Sequence, residues 1–308
     1  MNPGIVVVGS LNMDFVITVE TLPAPGETVL GRDFAMIPGG KGANQANAAG
    51  KLATSLRVKM IGRVGYDVFA DHLKASLSAT GVDVSGVMAT RTQPTGTAFI
   101  WVDREGQNSI VVASGANHAL TPADLPSFSG ARYVLFQLET PLDTIAAALK
   151  QAGREGAKTI LDPAPAQQLS PDLLAAVDIL TPNETEAALL LGRNPSRVSL
   201  LEAPALARAV HAMGPKAVVL KLGDQGCYYW DGQNEAYSPP FAVEAKDTTA
   251  AGDTFNAALA VALAEDQPIA QALRFANAAA AISVTRKGAQ SSAPTRKEVD
   301  ELCIQHSG

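Results

Sequence analysis

Cysteine is scarce: Cys227 and Cys303 are the only two in 308 residues. They stand far apart and match no zinc or redox spacing, so reduced thiols in a reducing compartment are expected and the fold has to rest on its core. The four histidines, His72, His118, His211 and His306, are scattered as well; none pair at the four-residue spacing of a helical metal site, and no Gly-x-Ser-x-Gly elbow occurs. No basic stripe forms and the formal net charge is −6, which speaks against nucleic acid as a partner. Long apolar runs are missing too. The first, Ile5 to Val8, is far too short for a signal peptide or a membrane span, so no membrane partner and a cytoplasmic location are expected. What remains is 47% hydrophobic and 18% charged, enough for a large core in one large domain with an accessory, or in two modest domains.

The stretch Asp247-Thr248-Thr249-Ala250-Ala251-Gly252-Asp253-Thr254-Phe255 organises the C-terminal quarter. Turn-formers Ser238-Pro239-Pro240 precede it, and Phe255, Leu259, Ala262 and Leu263 recur at helical spacing after it, so a loop runs into a helix N-terminus. The first amides of a helix lack partners and carry the positive end of its dipole. Ala250-Ala251-Gly252 puts no side chain in the way of a phosphate. Asp253, where the helix starts, is placed to take a proton from an attacking hydroxyl. An ordinary N-cap explains an Asp there as well.

Upstream, Ile5 to Val8 reads as a fully buried strand ending in a polar turn, Gly9-Ser10-Leu11-Asn12-Met13-Asp14. Asn12 and Asp14 suit a polyol, although both residue types are common in turns. Phe15 to Val19, Thr28 to Leu30 and Phe34 to Ile37 read as short strands, and Thr97 to Val102 with Ser109 to Val112 form a hairpin around Asp103-Arg104-Glu105-Gly106. These two excursions predict a small sheet over residues 15–37 and 94–113 that covers a site as a lid. Between them, Pro38-Gly39-Gly40-Lys41-Gly42-Ala43-Asn44-Gln45 opens a helix with one very small face. It is not a Walker A loop, which needs Gly where Ala35 stands and Ser or Thr where Gly42 stands. Gly40 and Asn44 are therefore expected to face a hydroxylated ligand.

After Asn117 an alternation sets in. Strands reading Tyr133 to Leu138, Thr159 to Leu161, Asp178 to Leu180 and Val218 to Lys221 end at Glu139, Asp162, Asn183 with Glu186, and the Gly223-Asp224-Gln225-Gly226 turn, with helical patterns between them. This predicts an α/β fold, a doubly wound and mostly parallel sheet flanked by helices over residues 1–14, 38–93 and 114–308, with ligands at the carboxyl ends of the strands. A last helix, Ala270 to Thr285, exits into Arg286-Lys287-Gly288-Ala289-Gln290-Ser291-Ser292. The carbonyls of that turn, with Asp247 and Thr249, can ring a monovalent cation, or form a plain loop.

Six segments taken together resemble the PfkB (ribokinase) family of carbohydrate kinases over nearly the whole length: Gly9 to Asp14, Gly39 to Ala46, Asp162-Pro163-Ala164-Pro165-Ala166, Thr181 to Glu186, Asp247 to Phe255 and Thr285 to Gln290. The resemblance implies transfer of the ATP γ-phosphoryl to the 5-hydroxyl of D-ribose, with Asp253 as base and the amides of Ala250, Ala251, Gly252 and Asp253 as anion hole. It further implies that Asn12, Asp14, Gly40, Lys41, Asn44 and Glu139 bind the sugar, and that Asn183 and Glu186 organise Mg²⁺ through water. Lys221, Leu222, Gly223, Asp224, Gln225, Gly226, Gly252 and Asn277 would line the nucleotide pocket. Asp247, Thr249, Ser283, Arg286, Gly288 and Ser292 would hold K⁺, and the lid sheet would clasp a second copy in a homodimer. A deoxyribose or nucleoside kinase shares this machinery. Few aromatics (Phe15, Phe34, Phe99, Trp101) fall in the lid to stack on a base. A non-catalytic sugar-binding regulator on the same fold is the alternative of a different class.

Overall fold

In chain order the elements are β1 (Ile5–Val8), β2 (Asn12–Val19), β3 (Gly31–Gly39), α1 (Lys41–Leu52), β4 (Val58–Gly65), α2 (Val68–Ser78), β5 (Asp83–Thr90), β6 (Gly96–Val102), β7 (Asn108–Ala113), β8 (Tyr133–Phe136), α3 (Leu142–Arg154), β9 (Lys158–Leu161), α4 (Pro171–Leu174), β10 (Ile179–Leu180), α5 (Glu184–Leu190), α6 (Ala203–His211), β11 (Ala217–Lys221), β12 (Cys227–Trp230), β13 (Glu235–Ser238), α7 (Ala251–Ala264), α8 (Ile269–Val284) and α9 (Arg296–Gln305). The computed structural model describes residues 4–105 and 107–306. Gly106 of the expected hairpin turn, and residues 1–3 and 307–308 of the expected α/β domain, lie outside the described residues.

Nine strands form one sheet in the order β13-β12-β11-β10-β9-β8-β1-β4-β5. From β11 to β5 every pairing is parallel, and β12 and β13 add an antiparallel edge. The strands are continuous apolar runs because both faces are covered. Ile5 and Val7 point into one core with residues of α1, α7 and α8, while Val6 and Val8 point into the other with residues of α3 and α6. Strand β1 is the switch. The chain runs one way from it to β4 and β5, and the other way to β8, β9, β10 and β11, which opens a crevice beyond the carboxyl ends of β1 and β8.

The remaining strands form a second sheet, β3-β2-β6-β7. Its register puts Met36, Phe15, Phe99 and Val111 in one row across the strands; Ile37, Asp14, Ala98 and Val112 make the adjacent row, on the opposite face. Phe15 stacks on Phe99 at 5.2 Å between ring centroids and meets Phe69 of α2 edge-on at 5.6 Å.

Three sequence expectations need correction here. Asn12 and Asp14 are not in a turn but open β2, paired with Gly39 and Ile37, because the chain passes straight from β1 into the second sheet. Thr28 to Leu30 form no strand; Pro23, Pro25 and a Gly26 at φ +83 hold that segment as a loop, and pairing begins at Gly31. Helix α8 is not the last, since α9 follows, started by a capping box in which Thr295 and Glu298 satisfy each other's amides.

Candidate active site

The switch point is tied across its two strand exits. Ser10 Oγ, just beyond β1, donates to Glu139 Oε2 at 2.5 Å, and the Lys41 amide at the start of α1 donates to the same oxygen at 3.1 Å. Helix α1 reaches this point because backbone meets backbone: a Cβ on Gly42 would stand 2.6 Å from the Gly9 carbonyl carbon. Gly40 has φ +88, and a Cβ there would lie 2.7 Å from the Asn12 nitrogen, so conformation and space both require glycine.

Helix α7 faces α1 across the crevice. Ala250, its N-cap, is left-handed at φ 57 and ψ 15, a conformation that costs a residue with a Cβ roughly 1–2 kcal/mol. Strain of this kind concentrates at functional sites. Its effect is to leave the N–H groups of Ala250, Gly252 and Asp253 with no acceptor among the described residues, whereas the Ala251 N–H turns back to the Thr248 carbonyl at 3.3 Å. Free amides at a helix start form an anion-binding nest. Ala251 therefore supplies room rather than a free donor.

Asp253 is no cap. Its two carboxylate oxygens accept from Asn44 Nδ2 at 3.0 Å and Gln45 Nε2 at 3.1 Å, and the side chain is 5% exposed. Burial raises its pKa to about 6; the Lys41 ammonium pulls the other way, Asp162 adds to the rise, and the two amides oppose it. Asp14 leans from β2 over Gly39, where a Cβ would fall 2.0 Å from its Oδ2. Burial, then Glu139 and Asp253, push it to about 7. For Lys41, burial works against the charge, but Asp253, Asp162, Glu139 and Glu186 outweigh it and hold the ammonium above its usual range.

Three members of this cluster were not among the expected site residues. Asp162, at the end of β9, accepts from Lys221 Nζ at 2.9 Å, and both side chains are nearly buried. Gln45 also reaches Asp162 at 3.4 Å and accepts from Gln137 Nε2 at 2.7 Å. The signal for Asp162 was its place at a strand's carboxyl end, the argument that singled out Glu139. Gln45 and Gln137 carried none beyond adjacency to Asn44 and to Glu139.

A cavity of about 640 Å³ opens from this cluster. Lys41, Asp162, Asn183, Glu186, Lys221 and Asp253 line its charged end; Phe241, Val243, Ala281 and Val284 line the apolar end, with Gly223, Asp224, Gly226, Gly252 and Asn277 also on its wall. Lys221 belongs to the charged end, since a Cβ on Gly252 would stand 3.4 Å from its Nζ. Two expected nucleotide contacts turn elsewhere: Leu222 is 1% exposed and packs into the core, and Gln225 sends its amide to the Val198 carbonyl at 2.9 Å. Asn277 braces the loop beside the cavity by donating to the Ser238 and Pro239 carbonyls at 3.0 and 3.2 Å. Asn183 and Glu186 form a capping box on α5, with Glu186 Oε2 accepting from the Asn183 amide at 2.8 Å and Oε1 from Asn183 Nδ2 at 3.0 Å.

Of the expected cation residues, Asp247 gathers two others. Its Oδ1 accepts from the Thr249 amide at 2.9 Å and its Oδ2 from the Gly288 amide at 2.8 Å. Ser283 and Ser292 are buried, each donating its hydroxyl one turn back, to the Ala280 and Ala289 carbonyls. The Arg286 guanidinium pairs with Glu298 at 2.6 Å, leaving only its backbone for such a role. Lys51, which the sequence did not single out, donates to the Gln290 and Ala293 carbonyls at 2.7 and 3.0 Å, one on each side of Ser292. Among the described residues no group of three or more His, Cys, Asp or Glu is placed to hold a metal ion directly.

Comparison with known proteins gives the same picture at the level of the whole chain. A ribokinase of Bacillus subtilis is 44% identical over 302 residues, covering 97% of this chain and 98% of that one, and a ribokinase of Haemophilus influenzae is 41% identical over 314 residues with both chains fully covered. The structure of an Arabidopsis thaliana ribokinase complexed with ribose and ATP superposes with a TM-score of 0.88 at 35% identity, over 98% of this chain and 99% of that one. The family model for pfkB family carbohydrate kinases matches residues 2–296, and this chain belongs to that family.

Proposed function

We propose that this chain transfers the γ-phosphoryl group of ATP to the primary 5-hydroxyl of D-ribose, giving ribose 5-phosphate and ADP. The observation that carries the reading is Asp253: a buried carboxylate clamped by two amides, beside free helix-start N–H groups, where the charged end of the cavity meets the crevice. Ribose enters from the crevice side, between Asn12, Asp14, Gly40, Lys41, Asn44 and Glu139. ATP enters from the cavity side, its adenine against the apolar end. The sugar hydroxyl gives its proton to Asp253 as it attacks, and the amides of Ala250, Gly252 and Asp253 receive the charge that builds on the transferring group. In such a hole each lost donor typically costs roughly 2.7–4 kcal/mol of transition-state stabilisation. Lys41 and Lys221, both close enough to Asp253 to feel its charge, add positive charge at the reacting centre.

The Asn183–Glu186 pair offers one carboxylate, each of whose oxygens accepts a protein N–H group, and it fits Mg²⁺ that keeps most of its waters and is held through them. When bound, Mg²⁺ neutralises phosphate charge. Beside the Asp247 carboxylate lies the Val284 carbonyl, which accepts the Asp247 amide at 3.1 Å; oxygen ligands of these kinds suit K⁺, and the loop leads directly into α7. The small sheet, carrying Asp14 on the face opposite its apolar row, serves as the lid that excludes water. That apolar row is the surface for a homodimer, and the cytoplasm is the expected location. Coupled ADP production across ribose, 2-deoxyribose, fructose and adenosine, with Mg²⁺ and with or without K⁺, tests the reading. Preference for ribose supports it; preference for adenosine overturns the sugar site, and no turnover with any acceptor overturns the kinase.

A further inference from the structure

Asn117 lies outside every element that faces the cavity, in a 3-10 turn (Gly115–Ala119) just beyond β7, and is 1% exposed. Its side-chain amide is fully committed. Oδ1 accepts from the Leu11 amide at 2.9 Å, and Nδ2 donates to the Leu11 carbonyl at 3.2 Å and to Asn12 Oδ1 at 2.7 Å. A backbone N–H can only donate, so Leu11 dictates which end of the Asn117 amide carries oxygen. Nδ2 must then face Asn12, and Asn12 must answer with its oxygen. The Asn12 Nδ2 is turned away from Asn117 and has no acceptor among the described residues, although Asn12 is only 2% exposed.

Space fixes the arrangement further. Asn12 pairs with Gly96, each the first residue of its strand in the small sheet, and a Cβ on Gly96 would fall 2.3 Å from both Asn117 Nδ2 and Asn12 Oδ1. The neighbouring Ala116 amide holds the Pro94 carbonyl at 2.7 Å. Two strand entries into the small sheet and the exit from β7 therefore converge on this one amide.

We propose that Asn117 is a positioning residue that locks the Asn12 amide with its nitrogen toward the sugar, so that Asn12 acts as a hydrogen-bond donor to a ribose oxygen. This rests on Asn12 contacting ribose. Asn117→Asp keeps the shape and the bond from the Leu11 amide but removes the donor, leaving acceptors facing one another unless the Asn12 amide turns over and presents oxygen to the sugar.

The test is a double-mutant cycle of Asn117→Asp and Asn12→Ala, read as ribose Kd by calorimetry without nucleotide, ribose KM, kcat and ATP KM. Losing an oriented hydrogen bond to the sugar predicts that ribose Kd and KM rise by about tenfold in each single variant, with ATP KM unchanged. In the double variant the loss is no greater than in Asn12→Ala alone. Independent, multiplying effects, or an Asn117→Asp protein that binds ribose like the parent, overturn the positioning role while leaving Asn12 as a ligand. An Asn12→Ala protein with unchanged ribose Kd instead removes Asn12 from the sugar site, and this proposal with it. If Asn117→Asp does not fold, Asn117→Ala removes the same donor without adding charge and takes its place in the cycle, with the same outcomes.

Discussion

The two sheets bury their side chains in opposite ways. In the nine-stranded sheet Ile5, Val6, Val7 and Val8 are at most 1% exposed, covered on both faces by helices; in the four-stranded sheet β7 is exposed along its whole length, and Phe34 and Met36 on β3 are 60% and 53% exposed. Apolar burial is worth about 25 cal/mol per Å², so the large sheet carries the stability and can hold strained and charged groups at its carboxyl ends. The small sheet adds little of this. What it contributes is two polar side chains at the crevice, Asn12 and Asp14, and an apolar row in which Met36, Phe99 and Val111 are exposed.

The largest effect tests whether the chemistry belongs to the large sheet's rim. Asp253→Asn should lower kcat by about 10²–10⁴-fold, the usual worth of a general base, with ribose still bound. A loss below tenfold would put the base elsewhere. The pH profile of the parent should show kcat/KM rising to a plateau above about pH 6 as Asp253 ionises. The same group makes a statement about stability. Its folded pKa is raised above the ordinary carboxylate value of 3.8, so the folded state holds the proton more tightly and ionisation costs stability. That cost is absent below about pH 4 and fully present above about pH 6. Asp253→Asn should therefore melt higher than the parent at pH 8, with the gain vanishing at pH 4; thermal scans at the two pH values decide it.

Next in size is the contrast in burial itself. Leu135→Ala, in the middle of the large sheet at 0% exposure, should cost about 2–5 kcal/mol in denaturant unfolding. Val111→Ala, 55% exposed on the small sheet, should stay within about 0.5 kcal/mol. Similar costs for the two would mean that the small sheet is covered in solution. The smallest effect on the fold should come from Val111→Lys, which leaves the melting of the isolated chain nearly unchanged but abolishes self-association in sedimentation experiments if the apolar row is the dimer face. A variant that still dimerises places the interface elsewhere.

The sequence could be read furthest where one physical rule acts locally. Continuous apolar runs ending in polar residues led to the parallel sheet, and small residues before a helical pattern led to the start of α7 and its free amides, because burial on both faces and access to helix amides constrain residue type directly. It could be read least where a side chain's partner is distant. Gln45 and Asp162 are 117 residues apart and Asn117 and Asn12 are 105 apart, and nothing in local composition marks either pair.

By itself the sequence determined the alternation of strands and helices, the glycines that let α1 approach β1, and the acidic and amide residues available at the strand ends. Tertiary structure decided the roles among them: that Asp253 accepts from α1 and does not cap its own helix, that Ala251 spends its amide on Thr248, that Lys221 pairs with Asp162, and that Leu222 and Gln225 turn away from the cavity. Residue type limits what a group can do, but its charge state and free hydrogen-bonding positions depend on burial and on partners that only folding brings within reach.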